Sequence, residues 1–452
     1  MSHLTDYLAT HYDRRKILIL GWGREGQSSY RVLSECCPAA SISVSDQNEQ
    51  VITDWATEHR KQLTTSPYLQ SLDQYDVIFK APGIPVRTPE LLAFQASGKV
   101  ITNQLNEFLH VYRDRIYGVT GTKGKSTTSS LVTHFLFAMG KRAVLAGNIG
   151  TPVFEIDDYI VEETNLVIEM SSYQLETTTV SPHVAVFLNL FPEHLNYHQG
   201  IENYIAAKAH ITSAQSVDDY FIYNQDSPEA TAVAAQTQAT KIPFSYTTLL
   251  EYPEHVNAVL AELDNNTHLP ATIKSWNVLP ALLAVQHLGF DPKTILRSLT
   301  TFTALPHRLE KVGVFRDVTW IDDTLATIPE ATIAALEALP RVDVLMLGGF
   351  DRGISYEKIV HACMEHNVSA LAFFKTSGEK MYDFLKASYP EKNWPAMKVV
   401  ENMEDAVRFA YEHAPKGGTV LLSPSSPSFG EYKDYRDKSA KYRDWIMKLE
   451  YS

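Results

Sequence analysis

The stretch Gly118–Ser130, GVTGTKGKSTTSS, constrains this chain more than any other. A short strand-like run, Arg115-Ile116-Tyr117, precedes it, and Leu131–Gly140 follows with apolar residues at helical spacing. Strand, glycine loop and helix is the context a phosphate-binding loop needs. Gly121 and Gly124 let the backbone curl so that several N–H groups converge on one anion, with Thr122 and Lys123 between them. Lys125 can reach terminal phosphates, and Ser126 or Thr127 can offer a hydroxyl to a metal. The helix that follows adds the positive end of its dipole. The usual G-x-x-x-x-G-K-[ST] pattern would start at position 119, which is Val119, so Gly121 supplies the flexibility instead. A plain turn between a core strand and a core helix would not need the lysine and the hydroxyls.

A chain of 452 residues accommodates two to four domains at about 150 residues each. A net charge of −13 argues against nucleic acid or an anionic membrane as partner, while leaving room for a local basic pocket. The cysteines are Cys36, Cys37 and Cys363, an odd number without metal spacing, as expected of a reduced cytoplasmic protein. No run approaches the ~18 apolar residues of a membrane span. The start, MSHLTDYLATHYDRRK, lacks the apolar core of a signal peptide.

Ahead of the loop, Lys16–Leu20 reads as a buried strand and runs into Gly21-Trp22-Gly23-Arg24-Glu25-Gly26 and a helical stretch. G-x-G-x-x-G after a strand is the signature of a pyrophosphate turn of dinucleotide type. A second strand, Ala40–Ser45, ends in Asp46, placed to meet a ribose hydroxyl. Tyr75–Lys80 leads into Ala81-Pro82-Gly83, a turn that exposes N–H groups at a sheet's carboxyl edge. Beyond the loop, the strand Leu166–Glu169 delivers a carboxylate at its end, well placed for Mg²⁺. Ala185–Leu190 is a further strand, followed by Phe191-Pro192-Glu193-His194. Lys208 falls on a helix, where a bare lysine is ordinarily solvated. Strands at Val318–Ile321, Val342–Leu347 and Thr419–Leu422 alternate with helical segments, so the C-terminal part is another α/β unit.

These motifs together resemble the Mur ligases, and among them the MurD-type glutamate ligases, along nearly the whole chain. T-G-T-x-G-K-S-T looks like their ATP loop, which folylpolyglutamate synthases share. Gly147-Asn148-Ile149-Gly150 matches G-N-I-G, Glu169–Leu175 matches E-x-S-S-[FY]-Q-L, and Glu193–Asn196 matches [DE]-H-[ML]-[DN]. Leu305–Glu310 matches L-P-H-R-x-E, and Gly348–Gly353 matches G-G-x-x-[KR]-G.

The resemblance implies an α/β fold of three domains. A Rossmann-like domain over 1–109 would bind a UDP-sugar rather than NAD. A central P-loop ATPase domain with a mainly parallel sheet would span 110–306, and a Rossmann-like α/β domain over 307–452 would take glutamate. Gly21, Gly23 and Asp46 would touch the nucleotide and Gly83 the diphosphate, with Asn148, Ser171 and Gln174 on the sugar-peptide. ATP would meet residues 121–127, Asn277, Arg308 and Asp323. Two Mg²⁺ sites would draw on Ser126, Glu169, His194 and Lys208, the last carbamylated by CO₂. Lys125, His194, Lys208, Arg308 and Asp323 would carry catalysis, and Thr327, Arg352, Ser428, Phe429 and Tyr435 would line the glutamate pocket. Departures from the family pattern are Ala81 for a serine, Asn106 for an acid, and Ile273-Lys274 for the leading pair of H-N-x-x-N.

The implied reaction is ATP-driven ligation of glutamate to UDP-N-acetylmuramoyl-L-alanine through an acyl phosphate, by a cytoplasmic monomer. D-Glutamate is the family default. Leu325, where the family has lysine, and the Pro329-Glu330 pair lean toward a sibling group that adds L-glutamate. A folylpolyglutamate synthase lacks the first domain. An NAD-dependent dehydrogenase leaves the ATP loop unexplained, and a non-enzymatic P-loop module would bind ATP without releasing phosphate.

Overall fold

Strands and helices alternate along the computed structural model as the apolar runs require. It describes residues 2–148, 151–248, 250–263, 275–302, 307, 309–351, 353–428 and 430–450. The strands form three sheets. The first contains β1 (Lys16–Leu20), β2 (Ser41–Ser45), β3 (Thr64–Thr65), β4 (Val77–Lys80) and β5 (Val100–Thr102), all parallel, in the order β3-β2-β1-β4-β5. Ile17, Leu18, Ile19 and Leu20 are all fully buried, as a parallel sheet with both faces covered demands. The order reverses between β1 and β4, and such a reversal opens a crevice beyond the carboxyl ends of those two strands. The glycine turn leaves β1 and the Pro-Gly turn leaves β4, so the two motifs flank one crevice.

The second sheet contains β6 (Ile116–Thr120), β7 (Ala143–Gly147), β8 (Asn165–Glu169), β9 (Val184–Phe187), β10 (Tyr220–Asn224) and β11 (Thr240–Phe244), in the order β11-β10-β9-β6-β8-β7. Every pairing is parallel. The strand before the phosphate loop, β6, lies between β8 and β9, so the segments leaving all three strands meet at one edge. The apolar run suggests a strand to Leu190, but β9 stops at Phe187. Leu188 still donates to the Thr120 carbonyl at 3.0 Å, whereas Asn189 turns to the glycine loop.

The third sheet contains β12 (Glu310–Phe315), β13 (Val318–Asp322), β14 (Val344–Gly348), β15 (Ala370–Phe374), β16 (Ala396–Val400) and β17 (Thr419–Leu422), in the order β12-β13-β17-β14-β15-β16. Only the β12–β13 pair is antiparallel.

The first two sheets belong to one compact unit, formed by the described residues up to 302; the third forms another. One apolar core runs from Ile17 and Phe79 in the first sheet through Phe108 to Ile168 and Phe187 in the second. That shared core joins the first two sheets into one unit. Among the described residues no helix is long and apolar enough to cross a membrane.

The helix Arg24–Cys36 packs tightly on β1 at Gly26, where a Cβ would lie 1.9 Å from the Gly21 carbonyl oxygen. Gly26→Ala is therefore expected to destabilise this unit by about 1–3 kcal/mol through overpacking. Urea unfolding followed by tryptophan fluorescence checks this, and unchanged stability would show that the helix can shift without cost.

Candidate active site

The phosphate loop is built from backbone first. Gly121 and Gly124 hold φ of +147° and +84°, a left-handed region that side chains disfavour. Gly124 caps the helix Lys125–Ala138. The segment after β9 braces the loop from one side. Thr122 N–H donates to the Asn189 carbonyl at 2.8 Å. The Asn189 side chain accepts from Lys123 N–H at 2.8 Å and donates to the Lys123 carbonyl at 3.1 Å. Thr122 Oγ1 accepts from Phe191 N–H at 2.9 Å. The helix Ser275–Val285 packs along the loop helix and brings Asn277 Oδ1 to 3.9 Å from where a Cβ on Gly124 would sit.

Two lysines meet beneath this loop. Lys125 Nζ donates to the carbonyls of Gly121 at 2.9 Å and Thr122 at 3.1 Å. Lys208, from the helix Ile201–Ala209, reaches the same Gly121 carbonyl at 2.9 Å and Thr120 Oγ1 at 3.3 Å. It is fully buried. Burial, reinforced by the charge on Lys125, holds its amine well below the usual lysine range.

Glu169 ends β8 as expected and is buried. Asn148 donates to its Oε1 at 2.6 Å, while its Oε2 is buried without a partner among the described residues. A buried carboxylate oxygen without a donor fits a cation ligand. His194 lies in a left-handed turn at the start of the helix Leu195–His198, its Nε2 3.8 Å from Glu193 Oε2. Burial pushes the Glu193 carboxyl up, but Lys123, His194 and Lys125 outweigh it and hold the group below the usual range.

In the crevice of the first sheet, Gly21 (φ +98°) donates to the Ser45 carbonyl at 2.7 Å. Asp46 accepts from Trp22 N–H at 2.7 Å and Asn48 N–H at 2.9 Å, so both its oxygens brace the turn. Around Gly23 and Gly83 the space a Cβ would occupy is open. A buried polar network ties this crevice to the second sheet. Lys80 Nζ donates to the Ile84 carbonyl at 2.8 Å and to Tyr197 OH at 3.2 Å. Tyr197 OH donates to Glu176 at 3.1 Å, and Arg87 is ion-paired with Glu176. Burial lowers Lys80 to about 8, against the opposing pull of Glu176 and Glu25. Ser171 caps the helix Ser172–Leu175, with Gln174 bonding back to the Ser171 N–H at 3.1 Å. Asn106, where the family has an acid, is buried and accepts from Thr179 N–H at 2.8 Å.

In the other unit the carboxyl edge of the third sheet gathers Asp323, Ser428 and Tyr435. Asp323 is buried, accepting from Leu309 N–H at 3.2 Å and Ser423 Oγ at 2.7 Å. Ser428 Oγ is buried without a partner among the described residues. Tyr435 opens the last helix, its ring 5.4 Å from that of His307, and Thr327 follows β13 on the connecting turn. Arg308, Arg352, Phe429, Ile149, Gly150, Ile273 and Lys274 lie outside the described residues.

Asp322 is the hub of this edge. It accepts from His307 Nδ1 at 3.1 Å, Ser439 Oγ at 2.5 Å, Thr324 N–H at 3.0 Å and Arg443 at 2.9 Å. Burial raises its pKa, yet these donors outweigh burial and bring it to about 2. Oxygen and nitrogen atoms of His307, Glu310 and Asp322 lie within 4.8 Å of one another, but the Arg443 guanidinium bonds both acids and supplies the cation there.

The sequence singled out Lys125, Glu169, Lys208 and Asn277, and the structure brings the glycine loop to Lys125, Lys208 and Asn277. It did not mark Asn189, Lys80, Glu176 or Asp322. Asn189 looks like one more residue of an apolar strand. The others gain their roles largely from neighbours distant in sequence.

Comparison with known proteins identifies the family. A model of the Mur ligase middle domain matches residues 119–268, and one of the Mur ligase glutamate ligase domain matches 307–426. The UDP-N-acetylmuramoylalanine–D-glutamate ligase of Halalkalibacterium halodurans is 30% identical over 443 residues, covering 95% of this chain and 97% of that protein. The enzyme of that name from Symbiobacterium thermophilum is 32% identical over 399 residues, covering 84% and 86%. Among solved structures, the MurF ligase of Thermotoga maritima in complex with ADP shares the fold at a TM-score of 0.55 and 17% identity, covering 98% of this chain and 99% of that one. MurC of the same organism does so at 0.57 and 17%, covering 96% and 99%. The chain belongs to the Mur ligase family.

The Asp322 network gives a stability test with a defined sign. Its folded pKa lies below the ordinary value of 3.8, so its contribution is complete above pH 4 and is lost as pH falls toward 2. Asp322→Asn is expected to cost about 2–3 kcal/mol at pH 7 and to remove that acid dependence. Denaturant unfolding at pH 7 and pH 3 measures both.

Proposed function

We propose that this chain is an ATP-dependent amide ligase that joins D-glutamate to UDP-N-acetylmuramoyl-L-alanine in peptidoglycan precursor synthesis. Relatives bearing that activity in their names match nearly the whole chain. The observation that carries the chemistry is the convergence of Lys125 and a buried Lys208 on the Gly121 carbonyl, beneath a helix N-terminus.

The glycine loop would hold the phosphates of ATP through its N–H groups, and Lys125 would neutralise the oxygens of the transferring phosphoryl group. Asn277 would contact the nucleotide, and Arg308 would clamp the transferring phosphate. The substrate carboxylate would become an acyl phosphate. The glutamate amine would then attack its carbonyl carbon, and the tetrahedral intermediate would expel phosphate and leave an amide.

Lys208 would act as a carbamate. Its depressed basicity favours the neutral amine, which can bond to CO₂ through nitrogen and release a proton. The product is an anionic, acceptor-only group. The unpartnered Glu169 Oε2 supports a cation beside it, held also by Ser126 and His194. Mg²⁺, when bound there, would offset charge on the phosphoryl oxygens.

Gly21, Gly23, Asp46 and Gly83 would hold the UDP end in the crevice of the domain over 1–109, with Asn148, Ser171 and Gln174 toward the sugar-peptide in the domain over 110–306. In the domain over 307–452, the unpartnered Ser428 Oγ supports a polar ligand at that edge, where Asp323, Thr327, Arg352, Phe429 and Tyr435 would complete the glutamate site. The reading implies a cytoplasmic enzyme working as a monomer. Leu325 favours a second reading in which L-glutamate is added. Enantiomers can share both carboxylate anchors and differ in where the amine points.

Phosphate release in the presence of ATP, Mg²⁺ and UDP-N-acetylmuramoyl-L-alanine, with each glutamate enantiomer at limiting concentration, tests the assignment. Faster turnover with the D form is expected. A preference for the L form would move the chain to the second reading, and no release with either would remove glutamate. Lys208→Ala is expected to lower kcat by at least about 100-fold, since even outer contacts to a metal ligand matter at that level. Added short carboxylates should restore part of the rate. Full activity of the variant without them would end the carbamate assignment.

A further inference from the structure

The glycine turn carries an acid where an anion is expected. Glu25 stands at the second position of the helix Arg24–Cys36, two residues past the open Gly23. On the reading above, the diphosphate of the nucleotide-sugar lies at that helix end, and an ionised carboxylate would repel it.

The surroundings of Glu25 are specific. Its Oε1 accepts from Gln174 Nε2 at 2.6 Å. The amide of Gln174 cannot turn round, because its Oε1 accepts from the Ser171 N–H and Oγ, each at 3.1 Å. The Glu25 carbonyl accepts from Gln104 Nε2 at 3.0 Å, and the same amide donates to Ser29 Oγ at 3.0 Å. Glu25 is thus fixed between the two sheets with Oε2 left without a protein partner among the described residues. The charged groups acting on it are Lys80 from the end of β4 and Arg24 from its own helix, while Glu176, paired with Arg87, acts on Lys80. Lys80 is committed to the carbonyls of Ala81 and Ile84 and to Tyr197, so it holds the Pro-Gly turn and leaves Glu25 to meet the ligand.

We propose that Glu25 binds the nucleotide-sugar as a neutral acid, donating a hydrogen bond from Oε2 to a diphosphate oxygen, so that ligand binding takes up a proton. The proposal rests on the assignment of this crevice to a UDP-sugar. Burial supports it: it raises the Glu25 carboxyl to about 7, against the lowering influence of Gln174, Lys80 and Arg24, so the group is divided between its two forms near neutrality.

The test is calorimetric titration of the full chain with UDP-N-acetylmuramoyl-L-alanine. Its diphosphate is a diester with no ionisation between pH 6 and 8. Repeating the titration at pH 7 in buffers of different ionisation enthalpy gives the proton uptake, expected at about half a proton per ligand. The Kd should weaken about tenfold from pH 6 to pH 8, as one proton with a pKa near 7 dictates. Glu25→Gln should abolish the uptake and the part of the pH dependence centred near 7, leaving any part near 8 that belongs to Lys80. A structural strap would instead change affinity equally at every pH. Binding without proton uptake in the unaltered protein overturns the proposal, and so does a Glu25→Gln variant with an unchanged pH profile. The first measurement decides even if the variant fails to fold. No binding at any pH overturns the UDP-sugar reading itself, and the proposal with it.

Discussion

The carbonyl oxygen of Gly121 accepts from two lysines, each at 2.9 Å, and much of the first unit serves to put them there. Two ammonium groups on one oxygen repel strongly wherever water is scarce. Lys125 retains access to the loop mouth, whereas Lys208 is enclosed, so the buried amine is the one driven toward its neutral form. The arrangement rests on the parallel order of the second sheet. Because β6 lies between β8 and β9, the loop, the acid at the end of β8 and the bracing segment after β9 emerge side by side. Asn189 then fixes the loop by its own backbone and side chain, independently of any ligand.

A second constraint lies between the first two sheets. Their shared apolar core would hold them together without regard to fine register. The polar network of Lys80, Tyr197, Glu176, Arg87, Gln174 and Glu25 adds direction, because every bond in it needs a particular geometry. Such buried charges contribute little net stability, since desolvation offsets most of their attraction. Their value here is positional: they join the turns of the first sheet's crevice to the segments that leave β8 and β9.

The third sheet solves a similar problem with other residues. Asp322, with no exposed side-chain surface, draws the chain at His307, the turn at Thr324 and the last helix at Ser439 and Arg443 onto one carboxylate. Its neighbour Asp323, just past the strand end, accepts instead from Ser423 and Leu309. The strand ends at Asp322, so one acid anchors the sheet to the last helix while the other sits in the segment that leaves it.

What the sequence determined by itself was local. The glycine loop, the G-x-G-x-x-G turn, the alternation of strand and helix and the acid at the end of β8 follow from backbone freedom at glycine and from apolar periodicity, which act over a few residues. Tertiary structure decided what depends on distant neighbours. A lysine on the helix Ile201–Ala209 reads as solvated until that helix packs beneath the loop. The run from Ala185 reads as a strand to Leu190 until Asn189 finds the backbone of Lys123. Glu25 reads as one variable position of a turn until Gln174, 149 residues away, meets its carboxylate. Asp322 and Asp323 are adjacent and chemically identical, and only the end of the strand and the packing of the last helix separate their roles. Burial and partner geometry set the charge of such groups, and neither exists until the chain has folded.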